Sequence, residues 1–244
     1  MTKALLGYSD ADLDCLFSDV RTQETNLGNL VADIMVNSTG ADVAIINSGT
    51  LRSNSVHPKG PFTNKDLLRI LPLFDQLCVL EVSGQTLHQA LENGVSKYPS
   101  LSGRFPQVSG IQFEFNPVNE PGSRIDAQRI LINNQILEFK QTYHLCVKEY
   151  MAKGRDGYAM LIDCPVIVGA QSGLVLSTCL QNFFEGSLRP CKSRGCLHRS
   201  CNNEQNDAIS HHQQMLSHES ETRKIPPVTG RIRNTSISNL LRSF

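Results

Sequence analysis

A run of four consecutive apolar residues, Val43-Ala44-Ile45-Ile46, stopped at once by Asn47-Ser48-Gly49, restricts the folds open to this chain more than any other stretch. Such a run has the pattern of a buried strand, and the polar triplet breaks it into a loop. Upstream, Leu27, Leu30, Val31, Ile34 and Met35 recur at helical spacing after Asn26, a residue suited to an N-cap. A helix with one buried stripe is therefore expected from there to about residues 37–40. This order gathers polar side chains at the strand's C-terminal end.

The alternation of helices and strands continues. A helix is expected from Thr63 or Asn64 to just before Pro72, and a strand over residues 77–82. Gly84 turns that strand into a helix whose Leu87, Ala90, Leu91 and Val95 share one face. Ile111, Phe113 and Phe115 alternate with polar residues, as in a half-buried strand. Asn133-Asn134 between two apolar runs reads as a hairpin turn, residues 143–147 as a strand and 174–184 as a helix. From Ser187 to about residue 222 polar residues dominate without period, the composition of a disordered insertion. Apolar residues return at 225–233 around Gly230, as in a returning strand. The expected organisation is one domain over 1–186 plus 223–236, a disordered polar insertion at 187–222 and a short tail at 237–244.

Composition excludes several classes. Lys plus Arg and Asp plus Glu both number 23, so no global field recruits a nucleic acid polymer or an anionic membrane, and any anion binding must be local. No run reaches the roughly 18 to 20 apolar residues of a membrane span. The opening Met1-Thr2-Lys3-Ala4-Leu5-Leu6-Gly7, followed by Asp10, Asp12 and Asp14, is too short and acidic for a secretory signal, so the chain as written reads as cytoplasmic. Eight scattered cysteines lack the spacing of a disulfide scaffold and read as reduced thiols. Cys191, Cys196, His198 and Cys201 offer zinc ligands in type, but their spacing departs from paired C-x-x-C patterns. They read as part of the polar insertion.

Two groups carry candidate chemistry. The Asn47-Ser48-Gly49-Thr50-Leu51-Arg52 loop combines an amide that both donates and accepts, a small glycine and a guanidinium able to hold a phosphate bidentately. The set suits a nucleotide; it equally suits a polar loop with an Asn holding its own turn and an Arg in solvent. In Tyr150-Met151-Ala152-Lys153-Gly154-Arg155-Asp156-Gly157-Tyr158, a ring could stack on a base while Asp156 accepts from ribose hydroxyls. The competing reading is a surface turn between core aromatics. His57, His88 and His144 lie far apart in sequence and read as ordinary turn, helix and strand residues.

Taken in order, Arg21 with Glu24-Thr25-Asn26-Leu27-Gly28-Asn29, Asn47-Ser48-Gly49 with Arg52, Leu71-Pro72, Tyr150 with Gly154-Arg155-Asp156-Gly157, and Val228-Thr229-Gly230-Arg231-Ile232 resemble the C-terminal, substrate-binding domain of the 5'-nucleotidase and UDP-sugar hydrolase family. The likeness spans nearly all of residues 5 to 233. It implies an α+β fold, a four-layer α/β/β/α sandwich with mixed sheets. It also implies that Arg21 and Arg52 contact substrate phosphate, that Asn47 with Gly49 makes the base-side and backbone contacts, that Tyr150 is one ring of a base sandwich and that Asp156 holds ribose. Where the family reads Leu-Pro-Phe, this chain reads Leu71-Pro72-Leu73 with Phe74 next. Either Phe74 supplies the second ring or the clamp is weaker and the ligand differs, since stacking contributes about 1–3 kcal/mol per base. Arg155 alters the family's Gly-Gly-Asp-Gly turn, adding a phosphate contact or pointing to solvent.

Family enzymes cleave phosphate esters with two divalent metals held in an N-terminal metallophosphoesterase domain. This sequence has no Asp-x-His near its start, no Gly-Asp-x-x-x-Asp and no Gly-Asn-His-Asp/Glu, nor a Gly-x-Ser-x-Gly elbow. The expectation is a chain with no cofactor of its own that binds a nucleoside monophosphate or related nucleotide, either as half of a hydrolase working with a separate metallophosphoesterase domain or as a stand-alone nucleotide-binding or regulatory module.

Overall fold

The computed structural model describes residues 4–187 and 222–236. Most of the expected insertion, its cysteine and histidine ligands and the C-terminal tail lie outside the described residues. At the centre stands a five-stranded mixed sheet in the spatial order Val166–Val168, Leu77–Ser83, Thr142–Lys148, Val43–Asn47, Pro106–Ser109. Only Thr142–Lys148 and Val43–Asn47 run parallel; the other neighbours are antiparallel.

Alternation along these strands divides the core in two. Ala44, Ile46, Val79 and Cys146 face one cluster, built with the Asn26–Thr39 and Leu176–Phe184 helices. Val43, Ile45, Cys78, Leu80, Leu145 and Val147 face the other, built with the Gly84–Val95 helix and the Ile111–Phe115 strand. Side chains of a strand point alternately to opposite faces, so a strand apolar at every position needs cover on both. The chain is the α+β four-layer sandwich with mixed sheets that was expected.

The Asn26–Thr39 helix starts one residue earlier than expected, because Thr25 is the N-cap: its side chain accepts from Gly28 N at 3.1 Å. Asn26 instead straps the preceding loop, accepting from Asp14 N at 3.0 Å and donating to Asp12 O at 2.6 Å. The whole Glu24–Asn29 stretch works as a clasp. Buried Glu24 accepts from Asn29 Nδ2 at 2.7 Å and Thr229 N at 2.8 Å, drawing in the C-terminal segment. Asp33, on the same helix, pairs with both terminal nitrogens of Arg231 at 2.7 and 2.9 Å. Gly28 lies so near the buried Gln107 amide that a Cβ would stand 2.1 Å from its Oε1. The expected returning strand is Ile232–Asn234, parallel to Ile111–Phe115.

The Asn64–Ile70 helix opens with a reciprocal capping box in which Thr63 and Asp66 each satisfy the other's backbone N–H. His57 is in a short strand, Val56–His57, and not in a turn; its buried ring lies 3.3 Å from Asp66 Oδ1 and 2.9 Å from Ser53 Oγ. Burial depresses the His57 pKa, and the Asp66 contacts oppose that only in part. The unfolded chain then binds the proton more tightly, so this group's contribution to stability rises with pH up to the ordinary histidine value of about 6.5 and is lost on acidification below it. For Asp66, desolvation pushes up, but Thr63 and His57 prevail and hold it below the usual carboxylate value; its contribution also fades in acid. Thermal midpoints measured between about pH 7 and pH 5 should fall in the parent, with a shallower slope in His57→Gln.

Asn133 and Asn134 take φ of 49° and 68° and join Leu131–Ile132 to Gln135–Ile136 as an antiparallel hairpin. The helix expected over 174–184 starts at Leu176, later than the apolar pattern suggests, because the Leu174 carbonyl accepts from Leu77 N at 2.8 Å and Val175 bridges to Gln76. Among the described residues all five cysteines are free, and no helix is long and apolar enough to cross a membrane.

Candidate functional site

Sheet register brings one edge of the molecule together. Asn47 ends its strand opposite Pro106, and Lys148 ends the parallel neighbour opposite Leu77. The segments that precede Pro106 and Leu77 therefore surround the two strand ends: Gly103 and Arg104 on one side, Phe74 and Asp75 on the other.

Asp156 is the hub of this edge. Its Oδ2 accepts from Asn47 Nδ2 at 2.7 Å and its Oδ1 from the Tyr150 hydroxyl at 3.0 Å, contacts that join residues 109 and 6 positions apart. Asp156 adopts φ 55°, ψ 26°, a left-handed conformation that costs free energy in a non-glycine residue and that Asp and Asn tolerate best. Asn93 Nδ2 braces it from behind, donating to the Asp156 carbonyl at 3.1 Å, and Asn93 Oδ1 is itself held by Arg104. Asn47 is fixed further by Thr50, whose hydroxyl donates to Asn47 Oδ1 at 2.8 Å. A carboxylate has about four lone-pair positions, so Asp156 keeps acceptor capacity for incoming hydroxyls. Partial burial, then the bond to Asp156, raises the Tyr150 pKa and keeps its phenol a donor.

Gly49 has a more structural part than its loop suggested. Its N–H is committed to the Gly103 carbonyl at 2.8 Å, and a Cβ on Gly49 would stand 3.1 Å from Gly103 Cα. The two glycines let the two loops close on each other. Arg52, whose own N–H donates to Ile70 O, extends an exposed guanidinium that touches only Gly49 O at 3.3 Å among the described residues.

Arg21 follows the short Phe17–Val20 helix, stacks 3.9 Å above the Phe17 ring and donates to Leu101 O at 3.1 Å. Its Nε is buried with no hydrogen-bond partner among the described residues. Burial, then the Arg52 charge, lowers the Arg21 pKa, so the two guanidinium groups lie within each other's field. Among the described residues neither has a carboxylate within ion-pair distance. Two neighbouring cations without a counter-charge concentrate positive potential locally on a chain with no net charge.

Phe74 is 75% exposed and Tyr150 43% exposed, an unusual state for large rings beside a polar hub. Beneath them lies a pair that sequence reasoning missed. Buried Lys148 donates to Asp75 at 2.9 Å, and its Nζ lies 5.1 Å from the Tyr150 ring centroid. It thus joins the loop that carries Phe74 to the strand end that carries Tyr150. The signal available was a lysine directly after Leu145-Cys146-Val147, where the strand continues inward. Asn93, Gly103 and Arg104, also missed, have no local signal of their own.

A two-metal centre does not fit the described residues: no three of their His, Cys, Asp or Glu side chains come together to hold a metal. Arg155 is exposed and, among the described residues, joins neither the Asp156 hub nor an ion pair.

A family profile described as "5'-nucleotidase, C-terminal domain" matches residues 6–163, from the first strand through the Asp156 turn. The chain belongs to the 5'-nucleotidase C-terminal domain family. It is 34% identical over 170 residues to the trifunctional nucleotide phosphoesterase protein YfkN of Bacillus subtilis, covering 65% of this chain and 11% of that protein. To protein 5NUC of Lutzomyia longipalpis it is 32% identical over 186 residues, 67% of this chain and 32% of that one. The crystal structure of a 5'-nucleotidase precursor from Thermus thermophilus superposes with a TM-score of 0.68 at 28% identity, over 76% of this chain and 37% of that one. This 5'-nucleotidase C-terminal domain therefore spans a third or less of the two curated relatives. The profile's span, residues 6–163, includes both strand ends of the candidate site.

Proposed function

We propose that this domain grips a nucleoside monophosphate or related nucleotide for a 5'-nucleotidase-type hydrolase, and that hydrolysis takes place on a metallophosphoesterase domain distinct from the residues described. The observation that carries this reading is the convergence of Asn47 and Tyr150 on Asp156, next to an uncompensated Arg21–Arg52 pair. Asp156 accepts from the sugar hydroxyls, Tyr150 offers a ring face to the base with Phe74 as the candidate second ring, and the two arginines take the phosphate. Asn47 and Gly49 shape the wall between them, Asn47 through its side chain and Gly49 by allowing Gly103 to approach. Carboxylate to hydroxyl and guanidinium to phosphate are both charge-assisted contacts, about twice as strong as neutral ones.

The donor set also separates holding from cutting. Phosphate-ester hydrolysis in this family rests on metals that activate water, and the described residues do not supply their ligands. The purified 244-residue chain should bind nucleoside monophosphates in calorimetry across a panel of bases. It should release no phosphate, with or without added divalent metal. Metal-dependent phosphate release abolished by Asn47→Ala would overturn the division of labour, and a panel that gives neither heat nor a thermal shift would overturn the binding.

A further inference from the structure

The two arginines of the candidate site carry like charges on separate segments, Arg21 just ahead of the Asn26–Thr39 helix and Arg52 beyond the Asn47 strand end. Within each other's field they repel, so the segment that carries Arg21 needs a fastening of its own. Gln107 supplies it. Its strand neighbour Val108 joins the core on the side of the Gly84–Val95 helix, so the Gln107 side chain points to the opposite face, under the Asn26–Thr39 helix, and is fully buried there. Its Nε2 donates to Val20 O at 3.0 Å and to Gln23 O at 2.7 Å, and its Oε1 accepts from Thr25 N at 3.2 Å. All three partners are backbone groups, and together they bracket Arg21.

The same stretch of chain is fastened to the other half of the site. Gln107 pairs with Ile46 and Pro106 with Asn47 in the sheet, Ser48 N donates to Phe105 O and Gly49 N to Gly103 O, both at 2.8 Å, and Leu101 O accepts from Arg21 Nη1 at 3.1 Å. Residues 101–107 thus hold the Arg21 segment on one side and the Asn47–Arg52 loop on the other. The three backbone partners of Gln107 require two N–H donors and one acceptor on a single group, which a primary amide supplies. Glutamate would keep the acceptor and face two carbonyls without a donor. Gly28 leaves the room, since a Cβ there would stand 2.1 Å from Gln107 Oε1. We propose that Gln107 is a positioning residue for the phosphate half of the site, and that its three bonds set Arg21 beside Arg52 so that both reach one phosphate. This deepens the nucleotide reading and rests on it, because the phosphate contact of Arg21 belongs to that reading.

The test is calorimetric titration of the full chain with AMP against adenosine and with UMP against uridine, since Arg21 is assigned to the phosphate and not to the base or sugar. Gln107→Met keeps an unbranched side chain of similar length and removes all three bonds. It should weaken the monophosphate by about tenfold and the nucleoside by less than about twofold. Arg21→Gln should show the same selectivity, and the double variant should lose no more than Arg21→Gln alone. Gly28→Ala displaces the amide without changing residue 107, and decides the matter if Gln107→Met fails to fold. In parallel, the Nε–H resonance of Arg21, whose nitrogen is buried in the parent, should shift or broaden in either variant without any ligand. Monophosphate and nucleoside weakened alike, or an Arg21 resonance unchanged in a folded variant, would overturn the proposal. A parent that binds none of the four ligands would overturn the nucleotide reading instead, and the Arg21 resonance would still decide whether Gln107 positions that side chain.

Discussion

Asp156→Asn is expected to weaken nucleoside monophosphate binding by about 1.5–3 kcal/mol, roughly 10- to 150-fold in Kd, while leaving the fold intact. Asparagine is the substitution of choice because residue 156 adopts φ 55°, a conformation that Asn tolerates as well as Asp does. Its side chain also reproduces both existing contacts: the amide oxygen accepts from Asn47, and the amide nitrogen donates to the Tyr150 oxygen in place of the phenol donating to it. What it lacks is charge and spare acceptor capacity. Only the carboxylate keeps open lone pairs on two oxygens for a pair of sugar hydroxyls. Calorimetric titration of parent and variant checks this, with a thermal melt to show that the variant is folded. A Kd left essentially unchanged in a folded variant would remove Asp156 from the site.

Lys148→Met should destabilise the chain by about 3–5 kcal/mol, the cost of breaking a buried ion pair from one side. The partner left behind, Asp75, has a side chain only 12% exposed and loses its 2.9 Å contact. Asp75→Asn in the Lys148→Met background should recover much of that loss, since the uncompensated charge is what costs most. Urea unfolding of the parent, the single variant and the double variant completes the comparison. Losses equal in the single and double variants would show that packing of the lysine stem, not charge pairing, is responsible. Because Lys148 also lies under Tyr150 and restrains the Phe74 loop, the double variant should bind nucleotide less well than the parent even where it is fully folded.

Much of the fold is legible locally. The apolar stripe of the Asn26–Thr39 helix, the two-sided burial of Val43–Asn47 and the paired left-handed conformations of Asn133 and Asn134 all follow from patterns within a few residues. The Thr25 cap is harder to read, since Thr25 and Asn26 are both good caps and the choice is made by Asp12 and Asp14, which engage Asn26. The hub at Asp156 depends on contacts between residues 109 and 63 positions apart, and the Lys148–Asp75 pair on one of 73. No periodicity encodes such pairings. Residue chemistry alone left Asn47, Tyr150 and Asp156 open to an ordinary-loop reading, and only the order of motifs shared with the family favoured them, whereas Asn93, on the Gly84–Val95 helix, and Gly103 emerged only when the tertiary structure placed them beside Asp156 and Gly49. The Glu24–Asn29 motif shows the converse: a stretch that signals the family most clearly is a clasp for the C-terminal segment and touches the site only through the element it starts.

In the proposed function this domain holds a nucleotide at the strand ends of Asn47 and Lys148. A crystal structure of the full chain with a nucleoside monophosphate, at a concentration where calorimetry shows the site saturated, tests it most directly. Sugar hydroxyls should lie on Asp156, the phosphate between Arg21 and Arg52, and the base against Tyr150. A nucleotide bound elsewhere, with Asp156 still engaged only by Asn47 and Tyr150, would contradict it.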